Sequence, residues 1–264
     1  MRVALVVSVA VVLALFGTGC DAADDFPRPS GPVVDTERGT ATPYGTGATR
    51  VWVLRPKRGE TSSVVVFLHG YGANLPFYWH IEWMDHLLEK GSTVLFPQYQ
   101  EGGDDPFILT PYDLATGLQT GFDAIGYDGE PVVAAGFSLG ATLAFVYAGH
   151  AEEWGVPAPR VVYSIFPVDP VLVDMSLDLS AIENTRALVL AGDNDDVVGQ
   201  DGAREIVAGL TRLPGPLKEL RLIRSTDRLL VIHDTPSFIG DPAVRRTFWL
   251  PLDRLVDAAR AKDG

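Results

Sequence analysis

Cysteine and basic residues are scarce in this sequence. Cys20 is the only cysteine among 264 residues, so no disulfide can form within the chain, and a domain of this length can bury enough apolar surface to fold without one. Lysine and arginine together number 21 against 34 aspartates and glutamates, which gives a formal net charge of −13. Without a basic patch, the chain is expected to bind neither nucleic acid nor anionic lipid through charge.

The sequence also lacks an apolar run long enough to span a bilayer. The apolar segment near its start, Val3–Phe16, is interrupted only by Ser8 and is preceded by a single arginine. Its length is typical of a signal peptide, which we place at residues 1–19. Together with Cys20, the segment resembles a bacterial lipoprotein signal, in which the cysteine is lipidated and becomes the mature N-terminus. Gly17 stands where such signals usually have leucine.

Lipidation of Cys20 would decide where the protein resides. We expect an exported protein that is lipid-anchored to the outer face of the bacterial cell membrane, with ordinary secretion as the alternative. Residues 20–42 carry three prolines among small and polar residues, a composition typical of a flexible tether. Residues 43–264 are then predicted to form a single domain.

One pentapeptide, Gly136-Phe137-Ser138-Leu139-Gly140, has the form G-x-S-x-G. A predicted strand, 132–135, precedes it, and a predicted helix, 141–148, follows it. A serine at such a strand–helix junction is exposed at the edge of a sheet, and the glycines let the strand and the helix approach closely. The first N–H groups of the helix can then stabilise an oxyanion. The motif therefore predicts Ser138 as a catalytic nucleophile.

A serine nucleophile needs a base, and the base needs an acid to orient it. In this type of site the chain order is serine, acid, histidine, and His233 is the only histidine well downstream of Ser138. Between them, the predicted strand 187–191 is followed by three carboxylates. The spacing G-x-x-D-x-x-V selects Asp195 as the acid; Asp196 is the alternative, and Asp193 is expected to brace the turn.

The oxyanion needs two backbone donors near the serine. The first is the N–H of Leu139, directly after the nucleophile, and the second comes from the loop after an early strand. That loop is His69-Gly70-Tyr71-Gly72-Ala73. We predict the N–H of Tyr71 as the second donor, with Gly72 as the alternative, and a structural role for His69.

Aromatic side chains near this loop are candidates for contact with a substrate. Tyr71 lies in the loop itself, and Phe77-Tyr78-Trp79 follows it. We predict Tyr71 and Trp79 as substrate-binding residues, and packing of a helix against the core is the alternative for the second group. Residues 98–106 are expected to form a solvated acidic loop without a defined calcium-binding pattern.

Taken together, these motifs make the chain resemble an α/β-hydrolase, and more narrowly the compact esterases, lipases and dienelactone-hydrolase-like members. The resemblance covers roughly residues 44–260 and rests on the loop at 69–72, the pentapeptide at 136–140, the turn at 192–195 and His233. It implies an eight-stranded, mostly parallel sheet and hydrolysis of an ester or related bond. It does not identify the substrate.

The pattern of the remaining chain agrees with an α/β fold. Apolar runs alternate with helical stretches, which favours a parallel sheet covered on both faces. The segment 167–186, where this fold often carries a cap domain, is too short for a large one, so an open active site is expected. The predicted strands are 51–54, 64–68, 93–96, 132–135, 161–165, 188–190 and 220–223, and the predicted helices lie near 76–90, 111–126, 139–152, 202–213 and 243–261.

The sequence therefore predicts an exported serine hydrolase that cleaves carboxylic esters through Ser138, His233 and Asp195. The expected substrate is a small-molecule or lipid ester, no cofactor or metal is required, and a monomer is expected. The alternatives are a peptidase, amidase or thioesterase with the same triad, or a binding protein that keeps the fold without turnover.

Overall fold

The structure is a computed structural model that describes residues 26–101, 110–174 and 176–261. Within these residues, nine strands form one sheet. Their order is β1-β2-β3-β5-β4-β6-β7-β8-β9. The six strands from β5 to β9 in this order are parallel, whereas β1, β2 and β3 join the sheet edge antiparallel. The strands are β1 (Val34–Asp35), β2 (Gly39–Tyr44), β3 (Val51–Pro56), β4 (Ser63–Leu68), β5 (Ser92–Pro97), β6 (Val132–Phe137), β7 (Val161–Ile165), β8 (Arg186–Gly192) and β9 (Lys218–Ile223).

The mostly parallel α/β sheet predicted from the sequence is confirmed, with nine strands instead of eight. The strands β1 and β2 begin within residues 20–42, the range expected to be a tether. Their backbones pair with each other and with β3, and Ala41 is fully buried. The ordered domain therefore starts before residue 43. The predicted signal peptide and Cys20 lie outside the described residues.

Helices cover both faces of the sheet, and each face has its own apolar core. Along β4, Val64, Val66 and Leu68 join the core beneath α2, α3 and α4, whereas Val65 and Phe67 join the core beneath α1 and α6. This alternation follows from the period of two in a strand. The helices are α1 (Ile81–Glu89), α2 (Thr110–Ile125), α3 (Leu139–His150), α4 (Asp201–Gly209), α5 (Pro242–Val244), a π-helix (Arg245–Trp249) and α6 (Leu250–Arg260).

The segment between β7 and β8 leaves the carboxyl end of the sheet without a large cap domain. Its described residues form loops and two 3-10 turns, Pro170–Leu172 and Leu179–Ala181. Thr142 of α3 donates a hydrogen bond to the carbonyl of Val168 at 2.7 Å, which holds the start of this segment against the helix. None of the helices in the described chain is long and apolar enough to cross a bilayer.

The described chain starts at the opposite end of the sheet from the G-x-S-x-G motif. Phe26 lies beside Gly126, where an added Cβ would be 3.4 Å from the phenyl ring. Gly126 directly follows α2 and comes shortly before β6. It therefore lies near the amino ends of the parallel strands, whereas Ser138 follows their carboxyl ends.

Candidate active site

Ser138 occupies a sharp turn between β6 and α3. Its backbone has φ 56° and ψ −120°, a conformation that L-residues rarely adopt. The N–H of Ser138 donates to the carbonyl of Ile165 at 2.9 Å, which ties the turn to β7. The two flanking glycines are sterically required: a Cβ on Gly136 would lie 2.1 Å from the carbonyl oxygen of Gly140, and one on Gly140 would lie 2.2 Å from that of Leu68. The sequence motif thus forms the predicted turn.

His233 lies in the long segment after β9 and reaches the serine from there. Its Nε2 is 2.9 Å from Ser138 Oγ. Thr235 shapes this turn, because its hydroxyl accepts the N–H of Ile232 at 2.9 Å and donates to the carbonyl of Leu230 at 2.8 Å. The imidazole is largely buried, with 10% of the side chain exposed.

Asp195 lies in the turn after β8 and completes the hydrogen-bonded chain. Its Oδ2 is 2.8 Å from His233 Nδ1, and its Oδ1 accepts the N–H groups of Val197 and Val198, both at 3.1 Å. The side chain is fully buried. Burial alone would raise the pKa of the carboxyl, but the hydrogen bonds from His233, Val198 and Val197 and the charge of His233 together lower it below its ordinary value. The carboxylate is therefore ionised at neutral pH.

The two other carboxylates of this turn have different partners. Asp196 is exposed. Asp193 accepts the N–H of Ser225 at 2.9 Å and its hydroxyl at 2.8 Å, so it links the ends of β8 and β9. Among the three candidates, Asp195 is the one that contacts His233, as the spacing predicted, and Asp193 braces the turn.

The loop 69–73 lies directly over the serine. An added Cβ on Gly70 would be 3.4 Å from the Cβ of Ser138. Leu139 is the first residue of α3, so its N–H has no carbonyl four residues earlier within the helix to bind. The N–H of Gly72, the alternative second donor, instead donates to Gln100 Oε1 at 3.0 Å. Tyr71 remains the predicted second donor.

His69 is part of the scaffold of this loop. Its ring is fully buried, with Nδ1 2.6 Å from the carbonyl of Gly70 and Nε2 2.5 Å from that of Gln98. Burial lowers the pKa of His69 to about 4, although these two hydrogen bonds oppose the shift. The imidazole is therefore neutral at pH 7, so one of its two nitrogens carries the hydrogen and donates to the carbonyl it faces. The ring braces the loop, which is the structural role expected from the sequence.

Some aromatic residues of this region pack against other side chains, and others are exposed to solvent. The ring of Trp79 is half-buried and lies 5.6 Å from that of Phe137, which in turn lies 5.0 Å from the ring of His233. Phe77 packs edge-on against Trp52 in the core, at 4.9 Å. Tyr71 is 45% exposed. Trp79 thus packs against Phe137, the residue before Ser138, and Tyr71 follows Gly70, which lies beside the serine. Residues 77–79 precede α1, which starts at Ile81 and not at 76.

The segment after β5 differs from the expectation. Residues 98–106 were predicted to be a solvated loop, but Gln98, Tyr99 and Gln100 are buried and contact the loop 69–74. The burial of this segment could not be predicted from its polar composition, because its partners lie about 30 positions earlier in the chain. Residues 102–106 lie outside the described part of the chain, within which no group of three or more His, Cys, Asp or Glu side chains is arranged to hold a metal ion.

The sequence matches no known protein-family profile, and no curated protein is significantly similar to it. Solved structures nevertheless superpose on most of the chain. An esterase/lipase from an uncultured bacterium has 13% identity and a TM-score of 0.64, with 86% of this chain and 87% of that chain covered. Thermogutta terrifontis esterase 2, phosphorylated by paraoxon, has 14% identity and a TM-score of 0.64 over 85% and 95% of the two chains.

A Pyrobaculum calidifontis esterase is similar over 80% of both chains, with 20% identity and a TM-score of 0.55. At these identities the likeness establishes the fold. The chain therefore has the α/β-hydrolase fold, as the sequence motifs predicted, and its activity has to be argued from the site.

Proposed function

We propose that this protein is a serine hydrolase that cleaves carboxylic esters through an acyl-enzyme. The observation that carries the proposal is the continuous hydrogen-bonded chain from Ser138 Oγ through His233 to Asp195. The serine lies in a strained turn at the start of a helix, where the nucleophile of a hydrolase is expected. The three residues have the roles of nucleophile, base and orienting acid.

The reaction begins when His233 Nε2 takes the proton of Ser138 as Oγ attacks the carbonyl carbon. The imidazolium then protonates the leaving alcohol, and the acyl group remains on the serine. A water molecule, activated by the same imidazole, attacks the acyl-enzyme and releases the acid. Asp195 keeps the proton on His233 Nδ1 and stabilises the imidazolium, and its buried, hydrogen-bonded carboxylate suits this role.

The tetrahedral intermediates require donors for the oxyanion. We assign these to the backbone N–H groups of Leu139 and Tyr71. The position of Leu139 at the N-terminus of α3 adds the partial positive charge of the helix to the hydrogen bond. The close approach of Gly70 to Ser138 supports the placement of the second donor.

An ester is the substrate class that the comparisons favour, since the similar solved structures are esterases. A small-molecule or lipid ester would reach the serine at the carboxyl end of the sheet. Tyr71 and Trp79 flank this approach and are proposed to contact the substrate. Amides and thioesters can be cleaved by the same residues, so they belong in the test.

The test combines a covalent probe with a substrate panel. Wild-type protein should react with a fluorophosphonate and hydrolyse p-nitrophenyl esters of graded chain length faster than the matched anilides and thioesters. Ser138→Ala should lose reaction with the probe and at least about 10⁴-fold in kcat. Ser164→Ala is a matched control, because Ser164 is also buried and its hydroxyl has no partner among the described residues; it should remain active.

The outcomes separate the alternatives. If anilides or thioesters are cleaved faster than the esters, the proposed substrate class changes but the proposed mechanism does not. A folded wild-type protein that is inert toward the probe and all substrates would indicate a binding protein on the hydrolase fold.

A further inference from the structure

Tyr99 forms a strained turn directly after β5. Its φ of 35° is positive, which is rare for a bulky L-residue, and the N–H of Gln100 donates back to the carbonyl of Gln98 at 2.5 Å. Tyr99 and Gln100 are nonetheless fully buried. Such a conformation is strained and persists only where the surroundings hold it. The contacts of this turn therefore hold it in place.

Those contacts are made with the loop over Ser138. The hydroxyl of Tyr99 donates to the carbonyl of His69, which also accepts the N–H of Gly140 at 3.0 Å. Gln100 Oε1 accepts the N–H of Gly72 at 3.0 Å. Asn74 Nδ2 donates to the carbonyl of Gln100 at 3.2 Å. The turn thus binds the loop at its start, its middle and its end.

Hydrogen bonds fix the peptide planes on either side of Tyr71. The plane between Gly70 and Tyr71 is held through the Gly70 carbonyl, which accepts the N–H of Ala73 at 3.1 Å and lies 2.6 Å from His69 Nδ1. The plane between Tyr71 and Gly72 is held by Gln100. Gly72 has φ 73°, and glycine alone adopts such a conformation without strain.

We propose that Gln100 is a positioning residue for the oxyanion site: by accepting the Gly72 N–H it holds the peptide plane that follows Tyr71, and with the Gly70 carbonyl holding the plane before it, the backbone of Tyr71 is fixed with its N–H toward the oxyanion. This inference rests on the proposed function. Gln100 is fully buried, so its side chain is not available to contact a substrate directly. Its amide oxygen is the group that matters, since Nε2 is buried without a hydrogen-bond partner in the described residues.

Two variants at this position separate the acceptor from the volume of the side chain. Gln100→Leu keeps a side chain of similar size but removes the acceptor. Gln100→Glu keeps a carboxyl oxygen that accepts the Gly72 N–H, whether the group is ionised or protonated. We expect Gln100→Leu to lower kcat by about 10- to 100-fold, because a small displacement of a catalytic donor has effects of this size. Its KM should stay within about threefold of the wild type, since the ground state makes less use of the oxyanion donors.

Gln100→Glu should recover most of the wild-type kcat. The rate of reaction with a fluorophosphonate should follow kcat in all variants, because the phosphorus-bound oxygen uses the same donors. Thr185→Val is the control for a purely structural loss. The hydroxyl of Thr185 is buried and donates to the carbonyl of Pro159 at 3.0 Å, at the amino end of β8 and far from the serine. It should lower the melting temperature and leave kcat unchanged.

Three results would overturn the inference. A folded Gln100→Leu variant with wild-type kcat would show that the hydrogen bond has no role in the reaction. An equal loss of kcat in Gln100→Glu and Gln100→Leu would show that the hydrogen-bond acceptor is not the relevant group. Wild-type protein that is inert toward the probe would overturn the proposed function and this inference with it. If the wild type is active, either of the first two results overturns only the role of Gln100.

Discussion

Asp193, Asp195 and Asp196 follow β8 within four positions, and their burial and hydrogen bonds distinguish them. Asp195 contacts His233, Asp193 contacts Ser225, and Asp196 is exposed. Burial and hydrogen bonding therefore assign three different roles to chemically identical side chains. The same Asp→Asn substitution can therefore be compared at the three positions.

Asp195→Asn should lower kcat by about 10⁴-fold, because an amide no longer holds the imidazole in the correct tautomer. Asp196→Asn should have little effect. Asp193→Asn should lower stability more than kcat, since it weakens the link between the ends of β8 and β9. Steady-state kinetics on a p-nitrophenyl ester and thermal melts measure both quantities. A larger loss in Asp196→Asn than in Asp195→Asn would show the acid to be the neighbouring residue.

The buried His69 predicts a dependence of stability on pH. Its pKa is about 4 in the folded protein against 6.5 ordinarily, because burial disfavours the charged form. Between pH 6.5 and 4 the unfolded chain binds more protons, so the free energy of unfolding falls as the pH falls through this window. The loss is roughly 3 kcal/mol at pH 4. Urea unfolding between pH 7.5 and 4.5 should show a shallower decline in His69→Gln, and identical slopes for the two proteins would contradict this account.

At the scale of elements, the contact between α3 and β4 depends on a missing side chain. A Cβ on Gly140 would lie 2.2 Å from the carbonyl oxygen of Leu68 and 2.5 Å from that of His69. Both atoms are backbone, so neither can move aside without displacing the strand or the loop. The helix therefore approaches the loop 69–73, which carries the proposed second oxyanion donor, only because position 140 is glycine.

Gly140→Ala should destabilise the protein by several kcal/mol, the range expected for severe steric conflict. Any folded fraction should also lose kcat, because α3 and the loop 69–73 would separate. Gly215→Ala is the matched control, since an added Cβ there meets no atom within 4 Å, and its change should stay within about 1 kcal/mol. Urea unfolding and kinetics check both; an active, stable Gly140→Ala variant would contradict the packing argument.

Elements with strong apolar runs were predictable, and the polar ones were not. β4 and β6 are buried on both faces, so their sequences consist almost wholly of apolar residues. β2, with the sequence Gly-Thr-Ala-Thr-Pro-Tyr, has no such run and is formed by pairing with β3. The same distinction applies to the site. Ser138 belongs to a local motif, whereas the contact of Gln100 with Gly72 joins two polar residues 28 positions apart.

At the scale of the whole molecule, attachment and catalysis are predicted to be separable. Cys20 precedes the described domain, so lipidation there would not alter the core. Wild-type protein should fractionate with membranes, because a lipoprotein cysteine carries more than one acyl chain and stable anchoring needs more than one. Cys20→Ser should leave the membrane fraction and keep its specific activity on a short-chain ester. Wild-type enzyme found wholly in the soluble fraction would indicate an ordinary signal peptide.

The position of Phe26 beside Gly126 limits how an anchored molecule would be oriented. It lies at the amino ends of the strands, about 20 Å from the carboxyl ends where Ser138 lies, since β6 has six residues. Phe26 is six positions after Cys20, and a chain of that length reaches at most about 20 Å. In a chain lipidated at Cys20, the amino ends of the parallel strands would thus face the bilayer, and the serine would face away from it. Such an enzyme would process esters that diffuse to it from the surroundings, and the lipids of the membrane beneath it would be out of its reach.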